Sequence, residues 1–179
     1  MNRFLSFMRS RWLPLSILLA AVVLDVISKQ LVVAYLKPIK TLPIIEGIFH
    51  FTYAENPGAA WSLFSAPDQR WIFMSISSVA IVLLLSYLFI VKIDSPLLRA
   101  GLGAVVGGGI GNMIDRISLG YVVDFLDARF INFPIFNVAD CFVTIGAGLL
   151  FVGLLIDWRR EELSARAKKE AERDDASDH

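Results

Sequence analysis

Apolar residues gather in four stretches along the chain, and a helix needs about 20 of them to cross a bilayer. Residues 71–91 are the clearest case, a run without a formal charge and rich in Ile, Val and Leu. Residues 141–156 reach spanning length if 137–140 enter the membrane edge. Residues 100–114 are apolar and glycine-rich and end at Asp115 and Arg116, while residues 12–36 are long enough to cross but contain Asp25 and Lys29. The pattern predicts four transmembrane helices, at about 12–36, 70–91, 97–116 and 138–158, with outer connections at about 37–69 and 117–137. The first connection reads as partly β. Its IIEGIFHFTYAEN run is alternating and aromatic and leads into a turn at Asn56-Pro57-Gly58.

Arg3, Arg9 and Arg11 ahead of the apolar run at 12–24 resemble the start of a secretory signal. The apolar pattern continues past Asp25 to Leu36 without a small-x-small cleavage site, which reads as an uncleaved signal anchor. Short basic segments are retained in the cytoplasm. The N-terminal arginines, the connection at 92–99, and Arg159 with Arg160 fall on one side of a four-span chain. Both termini are therefore expected inside, although Lys37, Lys40, Arg70 and Arg129 make the bias moderate.

Composition agrees with this picture. The chain is 56% hydrophobic and 19% charged, and 13 of its 34 Lys, Arg, Asp and Glu residues lie in the last 21 positions. An apolar body with a mixed-charge tail excludes a soluble nucleic-acid binder and a disordered regulator. The tail at 159–179 reads as a solvated cytoplasmic helix with a frayed end, held by pairs such as Glu162–Arg166. One cysteine, Cys141, excludes an internal disulfide. Two histidines, His50 and the C-terminal His179, leave little for a Ser-His-Asp triad or a metal site. Carboxylates, lysine and amides remain for demanding chemistry.

A charge near the centre of a membrane helix costs about 2.5–3.5 kcal/mol, so polar residues inside the spans are functional candidates. Asp25, Ser28 and Lys29 share one helix face about two-thirds of the way across the first span, where an internal ion pair neutralises the charges. Gly103, Gly107 and Gly111 have the spacing of close helix contacts. Asn112 and Arg116 share one face near the outer end of the third span, and Asp115 pairs either with Arg116 or with another span. Asn137 can cap the fourth span with Asp140 at its third position, where the helix dipole favours a carboxylate. Asp124 lies between Val123 and Phe125 in the second outer connection, a poor setting for a solvated charge. Asp127 and Arg129 read as surface charges.

Asp25, Asn56, Asn112, Asp124 and Asp140 come from separate parts of the chain, yet the topology brings all five to the outer leaflet. Asp124 and Asp140 can face one another there. Two aspartates sharing one proton form an acid/base pair that activates water without histidine, cysteine or metal.

Five ordered motifs extend this reading: DVISK from Asp25, ENPGAAWS from Glu55, GGGIGNMIDR from Gly107, VVDF from Val122 and FNVAD from Phe136. In this order and spacing the chain resembles the lipoprotein signal peptidase (signal peptidase II) family, bacterial membrane aspartic endopeptidases, as far as about Trp158. One departure is the Trp of NPGAAW, where Phe is commoner. The resemblance implies a mainly α membrane fold of four transmembrane helices, a small extracytoplasmic β-cradle and a short periplasmic helix. It implies one catalytic domain over 1–158, followed by the tail at 159–179. By the same resemblance Asp124 and Asp140 are the catalytic dyad. Asn56, Asn112, Arg116 and Asn137 bind substrate or support the dyad, and Asp25 and Lys29 form a structural polar pair. The implied substrates are prolipoproteins cut before a diacylglyceryl-modified cysteine, in a monomer of the cell inner membrane in contact with lipid. No cofactor, metal or nucleic acid is implied.

A small transporter or proton channel using Asp25, Lys29 and Asp115 is the reading from another class. The inner halves of the four spans are nearly free of charge, which offers no polar path. A non-enzymatic envelope assembly factor would account for the outer connections but not for the carboxylate pair. Presenilin-like proteases are disfavoured by the lack of a Gly-x-Gly-Asp sequence.

Overall fold

Small residues at the right spacing let α-helices approach until their backbones touch, and that approach organises this chain. The computed structural model describes residues 2–58, 70–131 and 133–177. Its elements follow in the order α1 (Asn2–Leu31), β1 (Thr41–Ile45), β2 (Phe49–Asn56), α2 (Arg70–Ile90), α3 (Pro96–Ser118), β3 (Val122–Ala128) and α4 (Val138–Ser177). α1 is extended by a π-helical turn at Val32–Leu36.

Three helices are long and apolar enough to cross a membrane among the described residues: Arg11–Leu36, Pro96–Ser118 and Val138–Lys169. α2 contributes the shorter apolar stretch Met74–Ile90. Large apolar side chains such as Leu19, Leu83, Ile90, Phe151 and Leu154 are exposed along these helices, as a lipid solvent requires. α4 runs from Val138 to Ser177 and continues without a break past Trp158.

α3 is the central helix, packed mainly on α4 and α1. A Cβ on Gly107 would lie 2.7 Å from the Leu18 carbonyl oxygen, and one on Gly111 would lie 2.6 Å from Asp25 Oδ2. Gly103 faces the backbone of Pro14, and Gly108 faces that of Ala139. The glycine spacing read from the sequence therefore joins α3 to α1, and Gly101 and Gly146 do the same for α3 and α4. Ser95 caps α3, accepting from the Leu98 N–H at 3.4 Å with Pro96 at the first helical turn. At that end of the bundle Arg11 donates to the Val91 carbonyl at 2.7 Å, tying α1 to the α2–α3 connection.

At the other end sits a three-stranded antiparallel sheet in the order β1-β2-β3. Leu36, Tyr53, Val123 and Phe125 form its core. The partly β reading of the first connection holds for β1 and β2. The second connection, expected as a loop, contains β3. A short helix over the site has no counterpart among the described residues beyond the single 3-10 turn Arg129–Ile131. Residues 59–69, which include most of the GAAWS run, lie outside them.

Asp127 corrects another expectation. It is buried, accepts from Thr52 Oγ1 at 2.7 Å and pairs with Arg129 at 2.9 Å, so it is an internal brace of the β2–β3 pair and not a solvated charge. Burial opposes its ionisation, but the Thr52 and Arg129 hydrogen bonds outweigh it and hold Asp127 below the usual carboxylate range.

Candidate active site

The register of the sheet places the first carboxylate. Asp124 on β3 lies opposite Ala54, so Asn56 is its diagonal neighbour on the same face. Asn56 Nδ2 donates to Asp124 Oδ2 at 2.9 Å, while its Oδ1 accepts from the Gly58 N–H at 3.1 Å and shapes the turn. Asn56 is therefore both a turn residue and a neighbour of Asp124.

The second carboxylate is placed by a backbone bridge. Leu126 and Phe136 exchange two hydrogen bonds, and the Phe125 N–H also donates to the Phe136 carbonyl. That bridge delivers Asn137 and the start of α4 beside Asp124. Asn137 Oδ1 accepts from the Asp140 N–H at 3.0 Å, and Asp140 Oδ2 accepts from the Asn137 N–H at 3.1 Å. The pair forms a reciprocal helix cap. The cap expected of Asn137 is present, and the same side chain reaches two further residues. Its Nδ2 donates to Asp124 Oδ1 at 2.6 Å and to Asn112 Oδ1 at 3.0 Å.

Asn112 completes the arrangement from α3, donating through Nδ2 to Asp140 Oδ1 at 2.8 Å. Each oxygen of Asp124 and of Asp140 thus accepts an N–H, and Asn137 touches both residues. Arg116, one turn beyond Asn112, donates to the Asn112 carbonyl at 3.3 Å and to the Gly58 carbonyl at 3.1 Å. Asp124 is only 2% exposed. Burial is the main reason its carboxyl is pushed up to about 6, with the Asp140 charge adding to it and the Asn56 and Asn137 hydrogen bonds opposing it.

Behind these residues lies a second polar cluster. Lys29 Nζ contacts Asp25 Oδ2 at 2.8 Å and Asp115 Oδ2 at 3.0 Å. Asp25 Oδ1 accepts from the Ala139 N–H at 2.9 Å, and Asp115 Oδ2 accepts from the Val123 N–H at 3.0 Å. The pairing expected of Asp25 and Lys29 is present, and the open question of Asp115 resolves in favour of another span. Sequence reasoning had missed that this cluster grips the backbone on both sides of the carboxylate pair. The only signal was a lysine on the same face as an intramembrane aspartate.

A cavity of about 730 Å³ opens in front of the pair between α2, α3, α4 and the segment at 133–136. Asn56, Asn112, Arg116, Asp124 and Asp140 line its polar end. Ala80, Ile81, Leu84, Val105 and Ile145 line an apolar trough along the helices, with Phe133 and Phe136 at its edge. The phenylalanines were also missed. Two coupled carboxylates at the end of an apolar trough can direct water at a polar bond whose neighbours are held in hydrocarbon.

Residues 17–156 match the family model described as signal peptidase (SPase) II. Curated relatives called lipoprotein signal peptidase include one from Trichormus variabilis, 46% identical over 133 residues, covering 73% of this chain and 82% of the relative. Another, from Symbiobacterium thermophilum, is 45% identical over 150 residues, covering 82% and 97%. A structure described as a bacterial membrane enzyme, solved by the in meso method, superposes with a TM-score of 0.72 at 29% identity. The alignment covers 80% of this chain and 88% of that one. A second such structure gives 0.70 at 28% identity, covering 79% and 92%.

Proposed function

The chain belongs to the signal peptidase II family, and we propose that Asp124 and Asp140 perform its reaction, the removal of signal peptides from prolipoproteins. The observation that carries this assignment is the single side chain, Asn137, that hydrogen-bonds Asp124 and forms a reciprocal cap with Asp140, two carboxylates that both line the cavity.

The two carboxylates differ in setting. Asp140 stands in the first turn of α4, where the helix dipole favours negative charge. Asp124 is buried on a strand, and burial favours its protonated form. Asp140 accordingly takes a proton from water, and the resulting hydroxide attacks the scissile carbonyl. Asp124 supplies a proton to the peptide nitrogen as the carbon–nitrogen bond breaks. The water oxygen ends on the signal-peptide carboxylate and the new amine stays with the lipoprotein. Asn56, Asn112 and Asn137 hold the pair in register, while Arg116 fixes the turn at Gly58 and lines the cavity. Asp25 and Lys29 form the structural pair beneath them.

The apolar trough suits a signal-peptide helix and the acyl chains of a diacylglyceryl cysteine, entering sideways from the bilayer between α2 and α4. In this reading α2 is the second of four spans of an inner-membrane protein. Both termini are cytoplasmic, the sheet lies on the periplasmic side, and the monomer is the active unit. Residues 1–158 form the catalytic domain and 159–179 the cytoplasmic tail.

The test is incubation of the purified protein with a diacylglyceryl-modified and an unmodified prolipoprotein, with product sizes compared. Cleavage of the modified form alone is expected. Asp124→Asn and Asp140→Asn should insert normally and leave it uncut, and near-parental cleavage by either variant would overturn the assignment.

A further inference from the structure

Lys29 is outside the cavity, on α1, with its side chain 4% exposed. Its ammonium nevertheless donates to Asn112 Oδ1 at 2.9 Å, the amide whose other end donates to Asp140. An ammonium has three hydrogens and no acceptor, so only the carbonyl edge of Asn112 can face it. Asn137 Nδ2 donates to that same oxygen at 3.0 Å, which reinforces the choice. With the carbonyl edge taken by two donors, the amide hydrogens of Asn112 are turned toward Asp140. If the amide were reversed, two donors would meet the Asn112 NH2 and its oxygen would meet a carboxylate oxygen. Both contacts are repulsive in a site shielded from water.

We propose that Lys29 is a positioning residue of the reaction, fixing through Asn112 which edge of that amide meets Asp140 and supplying the positive charge behind the carboxylate pair. This goes beyond a structural ion pair and rests on Asp124 and Asp140 being the catalytic pair. The charged groups linked to Lys29 are Asp25 on its own helix, Asp115 on α3 and Asp124 on β3, with Asp140 on α4 reached through Asn112 and Arg116 on α3 facing Asp115, Asp124 and Asp140 in turn. Asp25 and Asp115 touch the ammonium directly. Its field at the dyad is thus a difference between one cation and two neighbouring anions, and removing a member of each sign should move the dyad's titration in opposite directions. The Lys29 charge opposes the upward push on Asp124, in keeping with that sign.

The experiment compares Asp115→Asn, Lys29→Met with Asp115→Asn, and Lys29→Arg, each purified in lipid nanodiscs. Asparagine at 115 keeps an acceptor for the Val123 N–H, and the paired substitution leaves no anion at that position facing a missing cation. Folded fraction, kcat and KM are measured across acid and neutral pH with diacylglyceryl-modified prolipoprotein. Loss of Lys29 in addition to Asp115 should lower kcat about tenfold or more with KM little changed, and should place the limbs of the kcat–pH profile above those of Asp115→Asn by up to about one unit. Asp115→Asn alone should move them downward, and Lys29→Arg should leave them in place. A purely structural role changes the folded fraction and not the limbs, so folded variants that all titrate like the parent overturn the inference. If the paired variant does not fold, Asp115→Asn decides, because an unmoved limb there overturns it as well. Failure of the dyad assignment is separate, showing as cleavage by Asp124→Asn or Asp140→Asn.

Discussion

The side chain of Asn137 donates to Asp124 at 2.6 Å, joining the residue that precedes α4 to the strand β3. Asn137 also caps α4, and the two duties can be separated by substitution. Serine caps a helix nearly as well as asparagine, but its hydroxyl is too short to replace the amide bridge to Asp124. Asn137→Ser should therefore keep thermal stability close to the parent while kcat falls about a hundredfold, the usual effect of removing a placed donor. Asn137→Ala should lose about a further 1 kcal/mol of stability through the missing cap. Thermal unfolding in detergent and single-substrate kinetics check the two effects separately.

Burial of Asp124 makes stability depend on pH in a defined sense. Its carboxyl moves from the ordinary 3.8 to about 6 in the folded protein, because the buried anion is disfavoured. The stability associated with its protonated form is complete below the lower value and is lost as pH rises through the upper one. A two-unit shift corresponds to about 2–3 kcal/mol at most. Unfolding midpoints of the parent should fall across that window, and Asp124→Asn should remove that part of the slope. A parent and variant with parallel pH curves would contradict the assignment of the shift to this residue.

Close packing of α3 predicts a contrast among glycines. Gly107→Ala and Gly111→Ala place a methyl against Leu18 and Asp25, at distances that require α1 to move. Each should cost about 1–3 kcal/mol, and Gly111→Ala should also reduce activity by disturbing the Asp25–Ala139 contact. Gly148 on α4 has no atom within 4 Å of its would-be Cβ, so Gly148→Ala should leave the unfolding midpoint unchanged or slightly raised. Thermal melts of the three variants test the ordering.

The trough between α2 and α4 predicts a binding effect without a chemical one. Ala80 on α2 lines it, and Ala80→Trp would fill part of the space available to an apolar ligand. KM for the lipidated substrate should rise about tenfold, with kcat at saturation within about twofold, the pattern of lost uniform binding. An equal fall in kcat and kcat/KM would place Ala80 in the chemistry instead.

Much of this arrangement was legible in residue order because membrane insertion is a one-dimensional problem. A charge within an apolar run must find a partner, so Asp25, Lys29 and Asp115 were marked before their partners were known. Asp124 and Asp140 were paired by the same logic of sidedness. Sheet register is less visible in a sequence. VVDFLDA is too short and too apolar to be told from a buried loop, which is why β3 and the burial of Asp127 were missed. The reach of Lys29 to Asn112 depends on how α1 and α3 rotate against one another. Glycine spacing fixes the closeness of that contact, but it leaves the facing side chains open.

The Leu126–Phe136 bridge has a mechanical implication. It clamps β3 to the segment entering α4, joining the two acid-bearing pieces of chain in one bracket. Spreading the aspartates apart would require those backbone bonds to break together. A ligand that reached the cavity from the side of α2 would leave those bonds intact. Turnover can then proceed with the bracket unchanged from one cycle to the next.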